Sequence, residues 1–388
     1  MLDHQLRLRN RAAKKFSSPD RWLWTTKLLE QSSDEKVASL TAAAFPKDVR
    51  VIDFCCGAGA DAVALACRGP LTAVDRCDVA CGLARANLAL NFPGLARTMP
   101  PVGRTLRSSG HTVEVVQANA ETIDFGSDTW VHFDPDRRVD SRRTTQVSHF
   151  QPGMDFLSKV VDRSAGGSIK LAPATKFDVA GTSRSDDQVS EFKIDRERMG
   201  RQFVAWGHSV RQQRWWWNVE LYPAATTTVS ILSRSGEWYH WSTNDHEASE
   251  FDEWSNTLED WREIRGYIGD ADSCVRAAGL QAILAGKLNA CLVGNPVGFF
   301  QTEQLDDRAT PLVDWFEIEA TMAFDRKRLR SYLRERNVGV LEIKVRNVDI
   351  DPALLRNELK LRGSEAVTLL VTRCGLKTVA IVARRIAD

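Results

Sequence analysis

The sequence predicts an α/β protein in which an open, mainly parallel sheet is covered by helices and a smaller α/β module follows it. Three observations lead there. From Val49 onward, short apolar runs alternate with stretches of helical period. A glycine turn directly follows the first apolar run, where doubly wound sheets place their ligands. After an acidic stretch, the alternation starts afresh from Trp315.

Residues 1–48 read as an N-terminal helical segment. A basic first stretch (Arg7, Arg9, Arg11, Lys14, Lys15) breaks at Ser17-Ser18-Pro19-Asp20 and resumes from Trp22-Leu23-Trp24 through Glu30. Ser32-Ser33-Asp34-Glu35 has the form of a capping box and predicts a helix with Val37, Leu40 and Ala44 inward. These helices cover either the mouth of a ligand crevice or one edge of the sheet.

The first strand, 50–54, meets the turn Cys55-Cys56-Gly57-Ala58-Gly59 and a helix from Asp61 to Arg68. Gly57 and Gly59 let backbone approach a ligand, and Asp75, ending the second strand 71–75, can accept two ribose hydroxyls. This predicts a nucleoside site. A dinucleotide would need G-x-G-x-x-G, whereas here Ala60-Asp61-Ala62 follows, and an acid at the helix start repels phosphate; a cationic ligand suits it better.

A helix over 79–90 and a Pro-, Gly- and Arg-rich loop over 91–110 come next; Arg97, Arg104 and Arg107 either meet phosphates or merely ride on a mobile loop. Strand three, 112–117, ends in Asn119, an amide able to pair with adenine or simply a turn residue. Strand four, 130–133, ends in Asp134-Pro135-Asp136-Arg137-Arg138, where an acceptor group should lie; the arginines hold an anionic substrate or form a surface network. A helix over 153–161 and strand five, 168–171, with Lys170 facing a sheet side, follow. Segments 191–194 and 227–232 predict a reversed closing pair, and Arg211-Gln212-Gln213-Arg214-Trp215-Trp216-Trp217 between them either packs or stacks on bases.

Residues 245–272 hold ten Asp/Glu against Arg262 and Arg265 and predict a linker, with 245–314 an acidic linker and helical segment including a turn at Gly294-Asn295-Pro296. The last module, 315–388, predicts four strands and two helices: strand 315–320, helix 325–336, strand 340–345, a helix capped by Asp351 with Pro352 at its start, and strands 365–372 and 377–383 around a hairpin at Cys374-Gly375. Its helices carry Arg326, Lys327, Arg328, Arg330 and Arg334, then Arg356, Lys360 and Arg362, a face that could meet a phosphate backbone.

Composition narrows the class. With 388 residues, 43% of them hydrophobic, two or more cores are expected and disorder is not. No run of eighteen apolar residues exists, and the start lacks an apolar signal core, so a soluble, cytoplasmic chain with no membrane partner is predicted. Eight cysteines without paired spacing suit a reducing compartment and small buried filler better than zinc or iron–sulfur ligation, so no metal is predicted. The net charge of +1 hides an asymmetry: residues 321–388 hold 15 Lys/Arg and 8 Asp/Glu, against 37 and 43 in the rest.

The pattern D-x-x-C-G-x-G-x-D over Asp53 to Asp61, with Asp75, Asn119 and Asp134-Pro135, resembles the motifs of class I S-adenosylmethionine-dependent methyltransferases. The stretches 339–344 and 361–366, and Leu29-Glu30-Gln31-Ser32 before the turn, are similar to those of a subfamily with a THUMP-like C-terminal domain, related to RNA methyltransferases such as trimethylguanosine synthase. The resemblance implies a Rossmann-like seven-stranded methyltransferase sheet over 49–244 and a THUMP-like domain over 315–388. It implies S-adenosyl-L-methionine as cofactor, held by Asp53, Phe54, Cys55, Cys56, Gly57 and Gly59 with Asp61, Asp75, Arg76, Asn119 and Ala120. Asp53 would lie near its amino-acid part, and Cys55 stands where many relatives have a third glycine. Asp134, the Pro135 carbonyl and Arg137 would orient an acceptor amine, with Arg138, Lys170, Arg328 and Arg362 on the substrate. Asp136 and Arg137 depart from the Pro-aromatic ending of base-amino methyltransferases. The substrate implied is RNA; a small anionic molecule, a protein, or cofactor and RNA binding without catalysis remain alternatives, and protein partners are not predicted.

Overall fold

The computed structural model describes residues 2–92, 106–108, 111–136, 138–139, 142–143, 150–175, 195–207, 209–247, 256–294, 298–305 and 311–386. The expected elements at 191–194 and Asn295-Pro296, and Arg97, Arg104 and Arg137, lie outside these. Arg107, Arg138, Arg142 and Arg143 are described by their backbone alone. The chain divides into two compact units, residues 1–204 with 211–228, and residues 205–210 with 229–388.

In the first unit, helices α1 (Leu2–Ala12), α2 (Thr26–Gln31) and α3 (Glu35–Ala44) precede β1 (Val51–Phe54), α4 (Ala60–Ala66), β2 (Leu71–Asp75) and α5 (Asp78–Asn91). Then come β3 (Leu106–Ser108), β4 (His111–Gln117), β5 (Trp130–Phe133), the short pair β6 (Arg138–Val139) and β7 (Arg142–Arg143), α6 (Met154–Arg163) and β8 (Gly166–Leu171). Strands β9 (Met199–Trp206), β10 (Ser209–Trp217) and β11 (Thr226–Leu232), each divided between the units, and β12 (Trp238–Asn244), in the second unit, follow. The sheet runs β12-β11-β9-β10-β8-β5-β1-β2-β4-β3, parallel through β8, β5, β1, β2 and β4.

Ten strands replace the seven expected. Strands β3, β9 and β12 are additions to the expected set, while 191–194 lies outside the described residues; a further addition is 211–217, expected to be a connection and found as β10, antiparallel to β8. Gln212, Gln213, Arg214 and the three tryptophans are all buried there, so polar residues occupy positions where an apolar alternation would have announced a strand. Base stacking by these tryptophans is thereby replaced by packing. Trp216 stacks on Tyr222 with ring centroids 4.7 Å apart, its indole N–H donating to Gln202, and Trp217 donates to Ser164.

Successive residues of the central strands face opposite cores. Val51, Leu71, Ala73 and Val113 pack with α3, α4 and α5, while Ile52, Phe54, Val131, Phe133 and Ile169 pack with Phe125 and α6. The Phe54, Phe133 and Phe156 rings meet edge-on at 5.4–6.3 Å. Full burial of each ring stabilises by ~1.5–3 kcal/mol.

The N-terminal segment departs from its expected form in two places. Trp22 to Trp24 precede the helix and pack extended with Phe16, and the third helix is capped from Asp34 without a side-chain bond. Ser33 and Glu35 are engaged elsewhere: Glu35 accepts from Ser17, and Ser33 turns into the site described below. Lys15 closes α2 by donating to the carbonyls of Leu29 and Ser32. Leu8, Phe16, Trp22 and Trp24 form one cluster with Ala58 and Ala60 of the glycine turn, so the segment covers that turn.

In the second unit, the expected acidic linker contributes strands. Strands β13 (Thr257–Leu258), β14 (Tyr267–Ala271), β15 (Cys291–Val293), β16 (Phe299–Thr302), β17 (Val313–Ala323), β18 (Val338–Val345), β19 (Glu365–Cys374) and β20 (Lys377–Arg385) form a sheet ordered β13-β15-β16-β14-β17-β20-β19-β18. Its acidic residues mask Ile264, Ile268 and Leu292, which are buried. Helices α7 (Ser273–Ala278) and α8 (Gln281–Lys287) meet at Gly279, and α9 (Arg326–Glu335) and α10 (Pro352–Leu359) pack Leu329, Leu333, Leu355 and Leu359 on the sheet. Asp351 caps α10 as expected, but Lys360 rather than Gly363 takes the left-handed position after it. No helix among the described residues is long and apolar enough to cross a membrane.

Asn87, fully buried on α5, holds the first unit together locally. Its amide accepts from Leu23 N at 2.7 Å and donates to Leu23 O at 3.0 Å and Ala58 O at 2.9 Å. Asn87→Leu takes this partner from the half-buried N–H and carbonyl of Leu23 and from the buried carbonyl of Ala58. It is expected to cost about 2–4 kcal/mol, read as a lower urea midpoint followed by tryptophan fluorescence; an unchanged midpoint would show that the N-terminal segment is not anchored there.

Candidate functional site

The turn after β1 owes its shape to three left-handed residues: Cys55 (φ 62°), Gly57 (φ 56°) and Gly59 (φ 84°). Gly57 needs only the conformation, since a side chain there would find ordinary contact with Leu28, whereas a Cβ on Gly59 would lie 3.3 Å from Ala84 of α5. Cys55 adopts the glycine-like conformation with a side chain, at a cost of about 1–2 kcal/mol. Burial, reinforced by Asp75 and Asp134, pushes its thiol well above the ordinary value, so it is not a nucleophile.

Asp75 staples two turns at once. Its Oδ2 accepts from Gly57 N at 2.9 Å and its Oδ1 from Cys77 N at 2.8 Å, and both oxygens retain a second acceptor site for hydroxyls. Arg76 donates to Gln151 at 2.7 Å and lies 3.6 Å from Asp136. Asn119 is exposed at the end of β4, its carbonyl oxygen accepting from Glu121 N as the cap of a short turn whose Ala120 is buried. Phe54 contributes through its backbone, since its ring lies in the core; its carbonyl accepts from Asp134 N at 3.2 Å.

Phe54 and Phe133 are paired across the parallel strands β1 and β5, so the glycine turn and Asp134-Pro135 leave the sheet side by side. Asp136 exchanges both backbone hydrogen bonds with Gln151, which fixes the exit of this loop. Behind it, Lys170 is buried and donates to Asp134 Oδ2 at 2.6 Å and to Ser33 Oγ at 2.8 Å. Ser33 in turn donates to Asp61 Oδ2 at 2.5 Å, which also lies 3.5 Å from the Lys170 ammonium.

Burial alone would raise the Asp61 carboxyl, but Lys170, His132 and Ser33 hold it far below the usual carboxylate range. His132 stands 3.9 Å from Asp61 Oδ2 and bonds Ser168 at 2.8 Å. Arg214, fully buried, donates to Val37 O at 3.1 Å, and burial brings its guanidinium down to about 10 despite the pull of Asp61.

Asp53 has a different fate. It is buried with Oδ2 unpartnered, and burial, then Asp61 and Asp134, push its carboxyl well above the ordinary range. A cation arriving beside it would reverse that shift. A nucleoside with vicinal hydroxyls for Asp75 and a cationic end for Asp53 fits this crevice. Among the described residues no cluster of His, Cys, Asp or Glu is placed to hold a metal.

Of the predicted residues, the fold brings Asp53, Cys55, Gly57, Gly59, Asp61, Asp75, Asp134 and Lys170 together around one crevice. Arg328 and Arg362 are exposed in the second unit. The sequence presents Ser33 and Arg214 as part of a helix cap and of a basic–aromatic run, and does not single out Asn87, His132 and Ser168, because each acts here through partners distant along the chain.

Residues 313–385 match the THUMP domain-like family. Two uncharacterized S-adenosylmethionine-dependent methyltransferases of Mycobacterium tuberculosis, from strains CDC 1551 / Oshkosh and ATCC 25618 / H37Rv, are each 27% identical over 379 residues, covering 95% of this chain and 91% of theirs. A crystal structure described as a candidate methyltransferase, from Porphyromonas gingivalis W83, aligns with a TM-score of 0.74 at 17% identity, covering 99% of this chain and 90% of that one. The chain has the class I methyltransferase fold with a THUMP-like C-terminal domain.

Within the methyltransferase unit, the Asp61 pair links stability to pH. Its folded value lies below 3.8, so its contribution is present above 3.8 and is lost as pH falls through the lower folded value. Asp61→Asn is expected to cost about 3–5 kcal/mol at pH 7. The gap from the parent chain should narrow as acidity increases below the ordinary range, measured by urea unfolding at a series of pH values; a gap independent of pH would refute the pairing.

Proposed function

We propose that this chain transfers the methyl group of S-adenosylmethionine to a base in RNA, with an exocyclic amino nitrogen as the favoured acceptor. One observation carries the proposal: the Asp134-Pro135 exit from β5 lies beside the glycine turn, its carboxylate fixed from behind by Lys170. The cofactor supplies a methyl group already activated on a sulfonium, so the protein's task is orientation. Asp53 would face the cationic amino-acid end and Asp75 the ribose hydroxyls. Asp134 Oδ1 and the Pro135 carbonyl would accept the two N–H bonds of an amine, aligning its lone pair. RNA as substrate is supported by the THUMP-like domain, by family resemblance, and by the exposed Lys327, Arg328 and Arg362 there.

Labelled methyl transfer into total RNA, protein and metabolite fractions from a strain lacking the gene tests this directly. Label that resists nuclease treatment would exclude RNA. Asp134→Ala is expected to lower turnover on the order of a hundredfold, since a lost orienting partner raises the barrier by ~2–4 kcal/mol, with cofactor affinity little changed. Equal loss of cofactor binding would contradict the assignment.

Asp53 adds a pH dependence. Its carboxyl stays protonated above 3.8, and a cation beside it favours the carboxylate, so cofactor binding should release a proton. Affinity should improve as pH rises from 3.8 toward the raised value and level off above it. Calorimetry in buffers of different ionisation enthalpy measures the release, and Asp53→Asn should abolish it.

A further inference from the structure

We propose that Lys170 is a positioning residue for methyl transfer: braced by Ser33 and Asp61, its ammonium holds Asp134 Oδ2 so that the other carboxylate oxygen faces the acceptor. This rests on the function proposed above and deepens it, assigning Lys170 to the protein's own scaffold where the sequence placed it on the substrate. The hydrogen bonds run in one direction. Lys170 donates to Asp134 at 2.6 Å and to Ser33 at 2.8 Å, and Ser33, having one hydroxyl proton, donates it onward to Asp61 at 2.5 Å.

Lys170 is 4% exposed, whereas the Asp134 side chain is 23% exposed, so the ammonium is screened from the crevice while the carboxylate reaches it. A lysine in this position cannot swing out to a substrate without leaving Asp61 buried opposite an empty site. Asp34, Asp53, Asp61 and Asp134 all feel its charge, with His132 and Arg214 the other charged or titratable groups around Asp61. Removing the ammonium takes from Asp134 the hydrogen-bond donor that fixes Oδ2.

The test uses the full chain, S-adenosylmethionine and total RNA from a strain lacking the gene. Lys170→Met should lower kcat roughly ten- to a hundredfold, as expected for a misplaced orienting group. Its KM for RNA and its cofactor affinity should stay near those of the parent. Lys170→Arg, which keeps the charge and a donor, should retain more of the parental kcat than Lys170→Met. A residue that merely binds substrate would raise KM instead, and one that is merely structural would lower kcat and cofactor affinity together; either result overturns the proposal. Should Lys170→Met not fold, Ser33→Ala carries the test: kcat several-fold down with cofactor affinity intact supports the brace, and parental kcat overturns it. Absence of transfer by the parent chain would strike at the proposed function itself, whereas an active parent with unaffected variants strikes only at Lys170.

Discussion

One ammonium answers two buried or half-buried carboxylates in the first unit, and much of the local architecture is arranged to let it do so. Asp61 reaches Lys170 from α4, Asp134 from the end of β5, and Ser33 from the N-terminal segment. Charges removed from water are unfavourable unless paired, so none of these elements can be displaced without exposing the others to that penalty. The N-terminal segment is thus tied to the sheet by charge as well as by its tryptophans. Arg214 extends the same logic, a guanidinium kept inside the fold by a carbonyl and by the negative field of Asp61.

The glycine turn depends on this arrangement indirectly. Left-handed backbone at Cys55, Gly57 and Gly59 is held by bonds from outside the turn: Asp75 grips Gly57, and Asn87 grips Ala58. A backbone fixed in this way needs no rearrangement when a ligand arrives, which lowers the entropic cost of binding. Asp53 leaves Oδ2 unsatisfied, and its cost is tolerable because protonation removes the charge until a cation is present.

What could be read in the sequence follows physical range. The order β1, α4, β2, α5, β4, β5, α6, β8 was visible because each element carries its own apolar period, and Asp75 and Asp134 because strand ends in such sheets face the ligand. The strand at 211–217 was hidden by its buried glutamines and arginine, of which Gln213 and Arg214 find their partners, Thr175 and Val37, far away in the chain. Ser33 looked like a cap because hydroxyl and acid spacing is a local signal, whereas its bond to Asp61 spans 28 residues. The linker at 245–272 was misjudged because charge dominates its composition, although Ile264, Ile268 and Ala271 are buried along with Asp270.

The same caution applies to the basic C-terminal end, where net charge overstates what is free to bind. Arg330 and Arg334 close the end of α10 by donating to Glu358 O and Lys360 O, Arg326 pairs with Glu358, and Arg356 holds Leu341 O. Across the sheet, Asp270 collects Arg276, Lys344 and Arg346, while Asp314 takes Lys344 and Arg385. Eight cations are therefore occupied in holding this domain together. An RNA-facing surface would have to be built from those that remain exposed, Lys327, Arg328 and Arg362 among them, so its contribution to binding should be small in number of phosphates and correspondingly mild in salt dependence.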